Sequence, residues 1–244
     1  MEIQEMWERD TTLNTNIHYL FNREIYEYDM KEAGFSLIQE YGLLPSKVIN
    51  SMKQSTKDAR KIKIGVIERT NKELVEKKKE AFVEARKNFI TSNDLSVNDI
   101  ISVKKDAIFT CKRCNETNFG KYIEFRPKNQ YTSYIHIAGI EIYYNDDNID
   151  IKGISDAKLE MHEEYMTSFI KDYCKKMESD SPEKVIAFTR RFIDKYKARE
   201  LETGYYLPLN KRSTLEFLNI EGERVLDIKW NLTNILIPLI KIPL

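Results

Sequence analysis

Apolar and polar positions alternate over Arg23–Tyr28 (REIYEY), a period-two pattern rich in Ile and Tyr that predicts a strand. Beyond it, Met30–Tyr41 predicts a short helix ended by Gly42. Lys53–Asn93 predicts helix over most of its length, with a break near Gly65. Its last part sets Phe82, Ala85, Phe89 and Ile90 on one stripe, the spacing of a core-facing helix. Asp99–Thr110 (DIISVKKDAIFT) predicts a single strand. CKRCNETNFG then predicts a turn, with Tyr122–Phe125 as the returning arm of a hairpin. Tyr131–Ile137 and Ile140–Tyr144 predict a further strand pair around Ala138-Gly139, followed by Ile149–Ile154.

The period then changes. Over residues 156–178, Leu159, His162, Met166, Phe169 and Tyr173 recur at helical spacing. Ser181-Pro182-Glu183 reads as a helix start, with Ser as N-cap and Pro at the first helical position. The helix it opens carries Val185, Phe188, Phe192 and Tyr196 on its apolar face, and Gly204 follows its end. Strand-like runs return at Val225–Trp230 and Leu232–Ile237. The organisation predicted is α+β: a sheet domain with packed helices over 1–155, including a helical insertion at about 45–93, then a helical hairpin over 156–204 and a closing segment over 205–244.

Composition narrows the class of protein. The 244 residues are 32% charged and 41% hydrophobic, and an aromatic content of 11% excludes a disordered chain. Three cysteines are too few and odd in number for a disulfide-stapled fold. The longest apolar stretch, Ile235–Leu244, is short, split by Pro238 and Pro243, and carries Lys241, so no membrane association is expected. The acidic N-terminus, MEIQEMWERD, lacks the basic start and apolar run of a signal peptide, and the expected location is a reducing cytoplasm. Lys+Arg and Asp+Glu balance at 39 each, but unevenly along the chain. Residues 1–52 hold 4 basic and 9 acidic side chains, and residues 53–90 hold 12 basic and 6 acidic. Such asymmetry fits either a metal site beside a phosphate site or two solvated helix faces.

Two carboxylates stand out. Asp29 ends the first strong strand just before a helix, with Glu27 on the same face by alternation. Asp106 falls inside a predicted strand where an apolar residue is expected. Brought together by adjacent strands, Asp29 and Asp106 would bind Mg²⁺, which favours one or two carboxylates plus substrate phosphates. The alternatives are structural: Asp29 with Glu32 also fits a D-x-x-E capping box, and Asp106 also fits an exposed hairpin face neutralised by Lys104 or Lys105. Cys111-x-x-Cys114 has zinc-knuckle spacing but no second ligand pair, since Cys174, His136 and His162 are scattered. Reduced cysteines in a turn are therefore expected rather than zinc.

Taken in order, these segments resemble family B DNA polymerases. Asp29 followed by Ser36-Leu37-Ile38 is similar to motif A, and Asp106-Ala107-Ile108-Phe109 to the second half of motif C. Between them lies Glu84-Ala85-Arg86-Lys87, where the family has a Gly-Arg element. Lys128-Asn129-Gln130-Tyr131 and Lys152-Gly153-Ile154 follow in the positions of the Lys-Lys-x-Tyr and Lys-Gly-Ile elements. The resemblance covers roughly Arg23–Ser155 and implies a polymerase palm-like antiparallel sheet, with short fingers in the helical insertion and a thumb-like hairpin after it. It implies two Mg²⁺ ions on Asp29 and Asp106, with Arg60, Lys63 and Ser36 as the preferred nucleotide contacts and Lys61, Arg69, Lys77, Lys78 and Lys79 as further cationic candidates in the helical insertion. It further implies primer–template contacts from Lys128, Tyr131 and Lys152.

Departures accompany the likeness. The aromatic residue that excludes ribose falls at Gly34, the first acid of motif C falls at Lys104, part of motif B is absent, and no exonuclease domain has room. The expectation is a compact template-directed nucleotidyltransferase, DNA polymerase- or primase-like, of the kind carried by a phage or mobile element. Its partners would be primer–template nucleic acid, nucleoside triphosphates and a replication protein. A degenerate palm that binds nucleic acid or a replication partner without catalysis is the alternative, and a purely structural or inhibitory interaction protein is a third reading.

Overall fold

A computed structural model describes residues 1–137, 140–153, 163–202, 217–220 and 223–226. The fold is α+β, with seven α-helices and antiparallel sheets among the described residues. The chain divides into two compact units, one formed by residues 1–17 and 24–130, the other by 18–23 and 131–244.

The first unit is built on a six-stranded sheet. Its strands are β1 (Thr11–Leu13), β3 (Ile25–Met30), β4 (Ile100–Lys104), β5 (Ala107–Thr110), β6 (Asn118–Phe119) and β7 (Ile123–Tyr131), in the spatial order β1-β4-β5-β3-β7-β6. Three helices contribute to the core against it: α1 (Ile3–Glu8), α2 (Ala33–Glu40) and α5 (Lys72–Ser92). The predicted stripe of α5 is buried, and Phe89 lies at its centre, with ring centroids 4.6 Å from Phe125, 5.2 Å from Tyr28 and 6.0 Å from Phe119. Tyr28 keeps its hydroxyl satisfied inside this cluster by accepting from the Cys114 N–H at 2.7 Å. A second apolar cluster joins α2 to α3 (Ser46–Lys53), α4 (Lys57–Thr70) and α5 through Phe35, Ile38, Met52, Ile64 and Leu74.

The helical stretch breaks at Asn71 rather than at Gly65. Asn71 donates its N–H to Ile67 C=O at 3.0 Å, closing α4, and accepts from Leu74 N–H through Oδ1 at 3.0 Å, opening α5. Gly65 remains inside α4, where packing outweighs its weak helix propensity. The predicted strand 99–110 is two strands, β4 and β5, folded on each other at Lys105-Asp106 with Lys104 opposite Ala107. Consequently β5 pairs with β4 and β3, and residues 123–125 of the predicted returning arm belong to β7 beside β3, not to a hairpin with β5.

In the second unit, β2 (Tyr19–Leu20), β8 (Ser133–Ile137), β9 (Ile140–Tyr144) and β10 (Ile149–Lys152) form an antiparallel sheet in the order β10-β9-β8-β2. Phe169, Ile170, Tyr173 and Cys174 of α6 (Glu163–Ser179) and Phe192 of α7 (Pro182–Ala198) share its core with Ile135, Ile142 and Tyr144. The α7 helix starts at Pro182 as predicted, with Val185 N–H donating to Ser181 C=O at 3.2 Å. The unit boundary at Gln130/Tyr131 differs from the predicted one at 155, because strands β8–β10 share a core with the helical pair rather than with the first sheet. A two-stranded hairpin, β11 (Phe217–Ile220) and β12 (Glu223–Leu226), is also described. Leu159, His162, Gly204 and the predicted strands over 227–237 lie outside the described residues.

Phe89→Ala removes the ring on which three aromatic side chains of the first core, Tyr28, Phe119 and Phe125, converge. It is expected to cost about 3–5 kcal/mol, seen as a lower urea midpoint with an unchanged transition slope.

Candidate functional site: two carboxylates facing a cationic helical hairpin

Strand alternation sends Tyr28 and Met30 of β3 into the helix-packed core and Glu27 and Asp29 to the opposite face. Asp29 therefore stands on β3 itself. It caps no helix: the residue preceding α2 is Glu32, held in the left-handed region at φ 45° without a side-chain cap bond. The D-x-x-E capping box is thus not formed.

Asp106 occupies the β4–β5 turn rather than a strand interior. Its carbonyl accepts from Met30 N–H at 2.8 Å, and Asp29 lies opposite Ala107, the next residue. Asp29 therefore lies one residue out of register from Asp106, diagonally across from the turn. Their proximity has an electrostatic signature: the Asp29 carboxyl is held above its ordinary value of 3.8, first by burial, then by the charge of Asp106. Glu27 pushes the same way, while Lys128 and Arg126 of β7 oppose.

The turn carrying Asp106 is anchored from below. Lys105, at φ 53°, donates its N–H to Asp10 C=O, and its own carbonyl accepts from Arg86 Nη1 at 3.0 Å. Arg86 is fully buried and also donates through Nε to Trp7 C=O at 2.9 Å. One guanidinium thus ties the N-terminal segment to the turn.

Facing the carboxylates is a cavity of about 410 Å³. Helix α4 contributes Lys57, Arg60, Lys61, Ile64, Gly65 and Glu68 to its wall, the i, i+3, i+4, i+7, i+8, i+11 rhythm of one helix face. Lys78 enters from α5, and Glu32, Ala33 and Gly34 from the start of α2, where first-turn N–H groups lack helical partners. Arg60 grips the Glu32 carboxylate through Nε and Nη2 at 3.0 and 2.8 Å and lies 5.1 Å from the Phe35 ring centroid. Lys78 is paired with Glu68.

Of the preferred nucleotide contacts Arg60, Lys63 and Ser36, only Arg60 reaches this cavity. Lys63 points to the other side of α4, where it donates to Ser55 Oγ at 2.8 Å and borders a separate apolar groove with Val48, Met52 and Val66. Ser36 is buried and donates to Lys31 C=O at 2.7 Å, bracing the β3–α2 connection. Lys128 is beside the site, ion-paired with Glu27 at 3.0 Å, and Asn129 donates to the same carboxylate at 2.6 Å. Tyr131 is fully buried, its hydroxyl 3.4 Å from Asp150, so its ring is not a surface for nucleic acid. Lys152 is 2.6 Å from the same Asp150. Both belong to the second unit, and neither can be counted with the site. Lys61 and Lys78, two of the further cationic candidates, do line the cavity, whereas Lys57 and Arg126 were not predicted. The α4 pair, Lys57 and Lys61, is recoverable from the chain by projecting Arg60 onto its own helix face, which excludes Lys63.

Among the described residues no group of three or more His, Cys, Asp or Glu side chains suits a metal ion. Asp29 and Asp106 still fit Mg²⁺: they supply two adjacent carboxylates whose mutual repulsion a divalent cation would relieve, leaving its other positions to phosphate and water. In the turn that follows β5, burial pushes the Cys114 thiol up to about 11. Cys111 Sγ lies 3.3 Å from Asn98 C=O.

The raised Asp29 pKa fixes a pH dependence. A carboxylate easier to protonate in the folded state destabilises the fold above its folded value, and that penalty vanishes below the ordinary aspartate range. Asp29→Asn is therefore expected to stabilise the chain at neutral pH by about 0.5–1 kcal/mol, the modest figure of a partly solvated site. The gain should disappear below about pH 4, and Mg²⁺ should raise the melting temperature of the wild type alone. Thermal unfolding at pH 7 and pH 3.5, with and without Mg²⁺, reads all three.

The family model for the bacteriophage PBS1 gene 130 protein matches residues 1–235. No curated protein matches the chain. A match spanning nearly the whole length makes this chain a member of the bacteriophage PBS1 gene 130 protein family.

Proposed function

We propose that the first unit is a palm-like nucleotidyltransferase resembling family B DNA polymerases, acting in template-directed extension of a nucleic-acid 3′-hydroxyl. The observation that carries this reading is the proximity of Asp29 on β3 to Asp106 in the adjoining β4–β5 turn, at the wall of a cavity whose other wall is the cationic face of α4 and α5. Metal ions on the two carboxylates would activate the hydroxyl and neutralise the departing pyrophosphate. Arg60 and Lys78 stand where the triphosphate would lie, and an oriented guanidinium suits phosphate oxygens in a low-dielectric recess. Lys128 and Arg126 place positive charge beside Asp29 and Glu27, which suits a polynucleotide backbone.

A non-catalytic role in binding nucleic acid is favoured by one observation: Lys104, at the end of β4 before the turn, replaces the first acid of the motif. Primer extension with Mg²⁺ separates the two readings. Activity in the wild type with at least a 100-fold loss in both Asp29→Asn and Asp106→Asn, about 2.7 kcal/mol or more, supports catalysis. Salt-sensitive duplex binding without extension supports the binder.

Gly34 lines the cavity, and a Cβ built on it would meet nothing within 4 Å. No side chain there can reject a 2′-hydroxyl. Ribo- and deoxyribonucleotides are expected to be incorporated within about tenfold of each other. Parallel extension assays with each set measure the ratio, and strong exclusion of either set would contradict the assignment.

A further inference from the structure

The cavity facing Asp29 and Asp106 is electrically closed on itself. Four cationic side chains line it, Lys57, Arg60, Lys61 and Lys78, against four carboxylates, Asp29, Glu32, Glu68 and Asp106. Two of the carboxylates already engage the inner cations. Glu32 takes the guanidinium of Arg60 in a forked contact and Glu68 takes Lys78, with Arg60 and Lys78 only 15% and 12% exposed. Lys57 and Lys61 are exposed at the rim.

Arg60 does not depend on Glu32 for its position. It also donates to Ser55 C=O and packs on the Phe35 ring, so its guanidinium stays aimed into the cavity when the carboxylate leaves. Glu32, in contrast, is held in a left-handed conformation that costs a non-glycine residue about 1 kcal/mol or more. The forked ion pair is the interaction that offsets it.

We propose that Glu32 and Glu68 are internal stand-ins for phosphate: the cavity is a polyphosphate site in which Mg²⁺-bound triphosphate displaces these two carboxylates from Arg60 and Lys78. The ligand chemistry is the triphosphate chain, common to nucleoside triphosphates and inorganic tripolyphosphate. Exchange conserves the pairing of both inner cations, and the released carboxylates face the rim lysines. Affinity is therefore set by competition between the ligand and the chain's own anions. This deepens the nucleotidyltransferase reading and rests on its site, yet the binding equilibrium is measurable without any turnover.

Calorimetric titration with Mg²⁺–tripolyphosphate, Mg²⁺–ATP and AMP tests it on the full chain. The first two are expected to bind and AMP to bind at least tenfold more weakly; equal binding of AMP would overturn the triphosphate assignment. Glu32→Gln, isosteric and still able to accept from Arg60, should tighten tripolyphosphate five- to twentyfold, and Glu68→Gln should tighten it as well. Arg60→Met should weaken it at least tenfold with an unchanged circular dichroism spectrum. Glu73→Gln, which removes an equal charge from an exposed pair with Lys77, should leave affinity unchanged. Equal or weaker binding by Glu32→Gln, equal tightening by Glu73→Gln, or no binding by any variant would each overturn the proposal. Primer extension by the wild type alongside unaltered affinity in Glu32→Gln would sink this inference and leave the catalytic reading standing. Tightened binding without extension would do the reverse.

Discussion

One backbone contact determines the chemistry available to this chain: Met30 N–H donating to the carbonyl of Asp106. It fixes the register of β3 against the β4–β5 turn, and register in a sheet is all-or-none for side-chain direction. A slip of one residue would turn Asp29 into the aromatic core and bring Tyr28 or Met30 out. The aromatic cluster around Phe89 holds the other side of the same strand, so the packing of Tyr28 and the placement of Asp29 are one constraint. Arg86 supplies the remaining restraint by bonding the carbonyl of Lys105 from within the core.

The arrangement is electrostatically unfavourable in part and compensated in part. Burial and the repulsion of Asp106 both hold the Asp29 pKa above its ordinary value, while the inner cations Arg60 and Lys78 are matched one to one by Glu32 and Glu68. A fold selected only for stability would not keep two like charges side by side at a cavity wall. Such local disagreement between packing rules and residue choice is the usual mark of a site.

Much of the architecture was legible in the chain because it follows from periodicity. The β3 strand, the buried stripe of α5, the β8–β9 pair and the Ser181-Pro182 helix start all carry their own local signal. The β4–β5 turn did not, because it places a lysine at positive φ with no glycine or asparagine to announce it. The same omission concealed the true pairing of β5. Asp29 and Asp106 were identifiable as polar residues in apolar company, but the cationic wall was only partly so. Arg60 and Lys63 are equivalent in composition, and only their angle around the helix axis separates them. Ser36 and Tyr131 were misjudged for a common reason: a hydroxyl in a plausible motif position is also a good internal hydrogen-bond partner, and here each lies within its unit's interior.

Asn71 serves α4 and α5 at once, closing the last turn of one with its N–H and opening the first turn of the other with its side chain. The two helices therefore share a single joint with no slack residues between them. Fraying at either end at that elbow is coupled to fraying at the other, and Lys57, Arg60 and Lys61 on one arm stay in fixed relation to Lys78 on the other. The cationic wall is presented as one stiff lever rather than as independent side chains on separate struts.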